Sequence, residues 1–204
     1  MLRRQLPLTP PLSQRLLRLR DRLSARQPAA DDADPALRWA AVALLLVPSP
    51  DSLLLIRRAE RAGDPWSGHM ALPGGRREPD DPDLVATAVR EVREEIGVSL
   101  DIGQLIGRLD DVIPRTPTLP PVAVRPFAFL LPSRPSLALN PEVSAAPWVP
   151  VDGLLEPRIY RAVTLEVRGE RRQFPAYHLE DAVVWGMTER ILTGFLEEFR
   201  RPEP

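Results

Sequence analysis

Apolar residues follow two patterns along this chain. Continuous short runs read as buried strands, and runs recurring every three to four residues read as helices. Leu12, Leu16, Leu19 and Leu23 recur at helical spacing between arginines, which predicts a helix over residues 11–27. The acidic, alanine-rich stretch 28–35 reads as a connector. Residues 36–47 and 53–57 are apolar runs on either side of PSPDS, so two strands joined by a turn are expected, the first largely buried. A loop over 61–68 and a short extended piece over 69–73 follow. The segment VATAVREVREEIG has no proline, which predicts a helix over about 83–96 that stops before Gly97. Pro82 lies near its first turn, with Asp80 and Asp81 placed to cap it.

Further on, residues 100–109 and 122–131 are expected strands, with Pro126 marking an edge or a bulge. Residues 110–121 and 132–146 are expected loops. A short extended piece over 148–151 leads into a helical turn through Leu154. Residues 162–167 and 171–175 suit a hairpin. A final amphipathic helix over 182–199 faces a core with Ile191, Leu192, Phe195, Leu196 and Phe199. Strands around two substantial helices imply an α+β fold with a mixed sheet covered on both sides.

Composition narrows the function. At 204 residues and 44% hydrophobic, the chain suits one domain, residues 36–204, with an N-terminal helix and linker over 1–35 packed on it. It has no cysteine, which excludes disulfides, zinc–thiolate sites and cysteine nucleophiles. No stretch reaches the roughly 18 apolar residues of a membrane span, and the basic N-terminus has no apolar signal core, so a cytoplasmic protein is expected. The net charge of -1 gives no general attraction to nucleic acid. A small anionic substrate needs a local arginine cluster, because all 27 basic residues are arginine.

The chemistry centres on Glu91, Glu94 and Glu95. On a helix, residues three and four apart share a face, and like charges so placed destabilise it. A divalent cation against that face offsets the cost, and an all-oxygen donor set suits Mg²⁺ or Mn²⁺. An ordinary solvated helix face is the bland reading of an EVREE string. The glycine-rich entry at Gly74 and Gly75 favours a site, because it brings a tight backbone turn to the same helix. Arg90 points about a hundred degrees away from Glu91, toward a loop carboxylate or carbonyl rather than substrate. Arg57, Arg58, Arg61, Arg76, Arg77 and Arg125 are candidates for phosphate, with Arg57, Arg61, Arg76 and Arg125 as the substrate-binding set. Arg57 and Arg58 cannot both point inward from a regular strand. Trp66 and Trp185 are candidates to stack on a base, with core packing the simpler role. His69 and His178 have no partner at metal-ligand spacing.

The run from Gly74 to Val98 resembles the signature helix of the Nudix hydrolase superfamily, GX₅EX₇REUXEEXGU with U aliphatic. Gly75, Arg90, Glu91, Val92, Glu94, Glu95, Gly97 and Val98 match it. Fourteen residues separate Gly75 from Arg90, one more than in the general pattern, and Asp81 is the nearest counterpart of its first glutamate. The longer box resembles the coenzyme A pyrophosphatase branch, as do LNPEVSAAPWVPVDGLLEP and FPAYHLEDAVVWGMTERIL. Where that branch usually has His-x-Gly-Gln upstream, this chain has Trp66, Ser67, Gly68, His69 and Met70.

The resemblance implies an α/β/α sandwich and metal-dependent hydrolysis of a nucleoside diphosphate linked to another moiety. Its first substrate is coenzyme A or a derivative, cut to 3′-phosphoadenosine 5′-phosphate and phosphopantetheine. ADP-ribose, NADH or oxidised nucleoside triphosphates are alternatives, and a non-catalytic nucleotide sensor is another. It implies Gly75, Glu91, Glu94 and Glu95 as the Mg²⁺ or Mn²⁺ site, and Glu91, Glu94, Glu95 and Glu142 as catalytic residues. Gly74, Arg90 and Gly97 shape the motif. A nucleotide is the expected partner, with no nucleic acid or membrane, in a monomer or homodimer.

Overall fold

A computed structural model describes residues 11–25, 37–60, 68–100, 104–114, 122–167 and 169–202. The strand β1 (Arg38–Val47) is the spine of the molecule. Alternate side chains leave it on opposite faces, and both faces are apolar, so it is buried on both sides. Ala41, Ala43, Leu45 and Val47 enter one core, while Ala40, Leu44 and Leu46 enter the other.

The main sheet runs β6 (Gln104–Arg108), β7 (Val122–Leu130), β1, β2 (Ser52–Leu54), β9 (Trp148–Pro150), and β5 (Gly74–Arg76) also pairs with β1. It is mixed: β1 and β7 are parallel and the other pairs antiparallel. On one face lies α2 (Leu84–Ile96), packing Leu84, Ala88, Val92 and Ile96 into the sheet. On the other lie α1 (Gln14–Ala25), the single turn α3 (Val151–Leu154) and α4 (Gly186–Arg200). This is the expected α/β/α sandwich.

The helix α1 is built into that second core. Leu16, Leu19 and Leu23 are fully buried, each contributing about 2 kcal/mol by removal from water. A side chain at Gly107 in β6 would come within 2.6 Å of the Leu23 carbonyl, so glycine is what lets α1 seat there.

Two smaller antiparallel sheets flank the main one. The first orders β4 (Met70–Ala71), β3 (Ile56–Arg58), β8 (Val143–Ala145), and the second is the meander β10 (Tyr160–Val167), β11 (Glu170–His178), β12 (Val183–Trp185). The expected single strand over 53–57 is therefore two strands in different sheets, with the chain crossing at Leu55. The final helix starts later than expected, because Val183–Trp185 pair with β11 before it begins.

Pro126 also differs from expectation. It lies inside β7, between β6 and β1, and is not on an edge. Its carbonyl accepts from the Leu109 amide at 2.9 Å, just past the end of β6. The missing proline donor thus falls where the ladder has already stopped, which is why an interior strand tolerates it. The register shift lies opposite, on β6 between Leu105 and Gly107.

Candidate active site

Packing places α2 against β5, and that contact brings two carboxylates to the backbone of Gly74 and Gly75, which form a strand paired with β1 where a turn was expected. The Gly74 amide donates to Glu95 Oε2 at 2.9 Å. Gly74 has φ 152°, and a Cβ there would sit 2.3 Å from the Ala41 carbonyl, so only glycine can aim this amide at the helix. At Gly75 an added Cβ would fall 2.2 Å from Glu91 Oε1, so the carboxylate occupies the space a side chain would need.

Burial sets the charge state. Glu95 is 5% exposed. Desolvation pushes its carboxyl up to about 7, the Gly74 N–H opposes this, and the neighbouring Glu91 charge adds to it. Glu91 is raised too, first by burial, with Arg90 opposing. Its neighbour Glu94 has a side chain 49% exposed.

Arg90 holds the entry loop to the helix. Its Nε and Nη2 donate to the two Asp81 oxygens, both at 3.0 Å, and Nη2 also reaches the Arg76 carbonyl at 3.0 Å. Nη1 donates to Glu91 at 2.9 Å and Glu94 at 3.0 Å. Asp81 is buried, and besides Arg90 it accepts from the Glu78 amide and the Thr87 hydroxyl, each at 2.9 Å. The Arg90 bonds hold its carboxyl down to about 2 against the opposing effect of burial. Asp81 therefore does not cap α2. Asp83 does, accepting from the Ala86 amide at 2.7 Å, and Gly97 ends the helix in the left-handed conformation at φ 69°. Asp80 is exposed. The loop after β7 closes the helix end, with Ala138 and Asn140 amides on the Ile96 and Glu95 carbonyls.

Among the described residues no three acidic or histidine side chains converge closely enough to hold a metal ion. The donors do fit Mg²⁺ or Mn²⁺ in kind. Glu91 and Glu95 are desolvated carboxylates beside the Gly75 backbone, and each gains by a cation that relieves the repulsion between them. Glu94 joins them only by leaving Arg90. Glu142 lies at the rim: its carbonyl accepts from the Ala59 amide at 2.7 Å, and its charge raises the Glu95 carboxyl further.

A cavity of about 510 Å³, to whose lining none of the three glutamates contributes, is lined in part by Arg57, Arg58, His69, Asp181 and Trp185. Arg58 joins the two, since it lines the cavity and its charge favours ionised Glu95. Both Arg57 and Arg58 border the cavity, contrary to strict alternation, because the pairing of β3 with β8 shifts register between them. A bulge re-aims successive side chains in this way. Trp185 stands edge-on to His69, ring centres 5.0 Å apart, with Phe174 behind it.

The remaining substrate candidates divide sharply. Arg125 is 4% exposed, bonded in bidentate fashion to Asp111 at 2.8 and 2.9 Å, and stacked 4.9 Å over Trp39. That guanidinium is committed to Asp111 and Trp39. Arg76 pairs in register with Ala40, on the sheet face away from the glutamates, and only its carbonyl meets the motif. Arg77 braces the same loop through the Asp81 and Pro82 carbonyls. Arg61 and Trp66 lie outside the described residues.

Comparison with known proteins identifies the architecture. Residues 37–166 match the NUDIX domain. The chain belongs to the Nudix family. It is 31% identical over 156 residues to the Nudix hydrolase NudL of Photorhabdus laumondii, covering 76% of this chain and 81% of that one. An uncharacterized protein of Schizosaccharomyces pombe is 37% identical over 131 residues, 61% of this chain but only 40% of the relative's length. A solved MutT/nudix family protein from Enterococcus faecalis superposes with TM-score 0.52 at 18% identity, covering 78% of this chain and 61% of that one, which shows the fold. Nudix domain and fold together support a catalytic pyrophosphohydrolase, and the family typically uses a divalent metal.

The Nudix pattern also explains Asp81. It stands six residues after Gly75, the spacing of the pattern's first glutamate, so the extra residue falls between Asp81 and Arg90. The sequence carried that spacing, but the DDPD run offered three carboxylates and no means to choose among them. Asp181 and the two-arginine wall left no local signal, because the bulge that builds them depends on strand pairing.

Among the described residues no helix is long and apolar enough to cross a membrane.

Proposed function

We propose that this chain hydrolyses the phosphoric anhydride of a nucleoside diphosphate linked to another moiety, with Mg²⁺ or Mn²⁺. The observation that carries the reading is the pair of desolvated carboxylates, Glu91 and Glu95, held against Gly74 and Gly75 of β5, with Arg58 linking them to an arginine-lined cavity. A divalent ion at Gly75, Glu91, Glu94 and Glu95 supplies neutralising charge for the phosphate oxygens. Arg90 keeps the helix and loop in register for it. A cation bound there would hold Glu95 ionised, which leaves Glu142 as a candidate to orient water from the rim.

Substrates polar at both ends, such as ADP-ribose or NADH, fit this site better than coenzyme A. Of the described cavity lining, only Leu165, Ala182, Val183 and Trp185 are apolar, a short surface for a pantetheine arm. The relatives reported above add no support for coenzyme A by name. Coenzyme A keeps the support of the longer box and the two distal stretches.

The test is kcat/KM for ADP-ribose, NADH, coenzyme A and 8-oxo-dGTP with each metal. A preference of about tenfold, equivalent to about 1.4 kcal/mol of transition-state binding, for ADP-ribose or NADH is expected. A like preference for coenzyme A reverses the order, and tight binding with no hydrolysis across the panel points to a nucleotide sensor.

A further inference from the structure

We infer that Arg57 grips the substrate's diphosphate, and that Asp181 holds Arg57 at the cavity wall until the diphosphate displaces it. The inference rests on the proposed anhydride hydrolysis for its ligand. Arg57 Nη2 bonds the Asp181 carbonyl and Oδ2, both at 3.0 Å. Both residues line the cavity. The bulge between Arg57 and Arg58 sets two guanidinium groups from successive residues along one wall, Arg58 on the Glu95 flank and Arg57 on the Asp181 flank. Two forks side by side suit two linked phosphates, since a guanidinium donates two parallel hydrogen bonds to phosphate oxygens.

What separates Arg57 from Arg90 and Arg125 is how readily it is released. The Arg57 side chain is 31% exposed and its Asp181 partner 78%, and an ion pair that open is weak. Arg125 and Arg90 each sit in buried bidentate pairs, and breaking one strands a charge in the interior. The linked diphosphate carries two negative charges against the single charge of the Asp181 carboxylate and offers acceptors to both forks, so exchange favours the ligand. Asp181 lies in the connection between β11 and β12, so releasing Arg57 also loosens the tie between that sheet and β3.

The experiment compares Arg57→Ala, Arg57→Lys and Asp181→Asn in the full chain. Three readouts are taken: calorimetric binding of inorganic pyrophosphate with Mg²⁺, steady-state kinetics on the best substrate of the panel, and thermal melting. Arg57→Ala is expected to weaken pyrophosphate binding and raise KM by at least about tenfold while kcat moves by less than about threefold, the signature of lost uniform binding. Arg57→Lys, which keeps the charge without the fork, is expected to recover part of this. Asp181→Asn is expected to tighten pyrophosphate by about two- to fivefold, because it removes the competing charge. Pyrophosphate binding within about twofold of wild type in Arg57→Ala overturns the inference. So does Asp181→Asn weakening binding as much as Arg57→Ala does, since the pair is then a structural tie, which a matching fall in melting temperature would mark. If no substrate is turned over, the proposed hydrolysis fails, and the pyrophosphate measurements still decide the role of Arg57.

Discussion

Glu95→Gln should make the metal-free protein more stable. Glu95 is almost fully buried, and its carboxyl lies near 7 instead of the usual 4.5 because folding strips its water. That gap corresponds to about 3 kcal/mol, the cost of holding the ionised group in the folded state. Above pH 7 the carboxyl is ionised in both states and the full cost is present. As pH falls from about 7 to 4.5 the folded protein takes up a proton that the unfolded chain does not, so this contribution becomes more favourable. Glutamine reproduces the protonated state at every pH. Its amide oxygen still accepts from the Gly74 N–H, and its volume is almost unchanged. In EDTA at pH 8, urea unfolding should show the variant more stable by up to about 3 kcal/mol, a difference that fades toward pH 4. Mg²⁺ should stabilise wild type and do so less in the variant. A Glu95→Gln protein no more stable than wild type at pH 8 in EDTA refutes the reasoning. It would mean that the Gly74 amide and Arg58 already balance the desolvation, and that no strain is stored at the site for a cation to relieve.

Asp81→Asn should act oppositely. The Asp81 carboxyl is held near 2 against a usual 3.8, so its stabilising share, about 2 kcal/mol, is present above 3.8 and lost as pH falls toward 2. Chemical denaturation at pH 7 should show a loss of that size, and one below about 0.5 kcal/mol would remove Arg90–Asp81 as the brace of the motif. Gly75→Ala should cost turnover more than stability, because its methyl group would take the place of the Glu91 carboxylate at 2.2 Å. Paired kinetics and melting curves check this, and unchanged kcat counts against Glu91 as a working ligand.

The sequence by itself determined the parts that depend on local periodicity and short-range chemistry. Helix α2 was legible because VATAVREVREEI alternates apolar and charged positions at helical spacing and ends at a glycine able to adopt positive φ. That period alone puts Glu91 and Glu95 one turn apart. The double-buried strand β1 and the apolar stripe of α4 were legible for the same reason. Tertiary structure decided everything that depends on what lies across a gap. It chose Asp81 over Asp80 and Asp83 as the partner of Arg90, because only Asp81 is carried inward by the turn before α2. It committed Arg125 by pairing β7 beside β1, which sets that guanidinium over Trp39 and against Asp111. It put Arg57 and Arg58 on one wall through a bulge imposed by β8, whose residues lie some 85 positions away in the chain. Residue spacing fixes direction along one element, whereas pairing register and burial are set by distant segments, and those settle which charges are locked and which remain exchangeable.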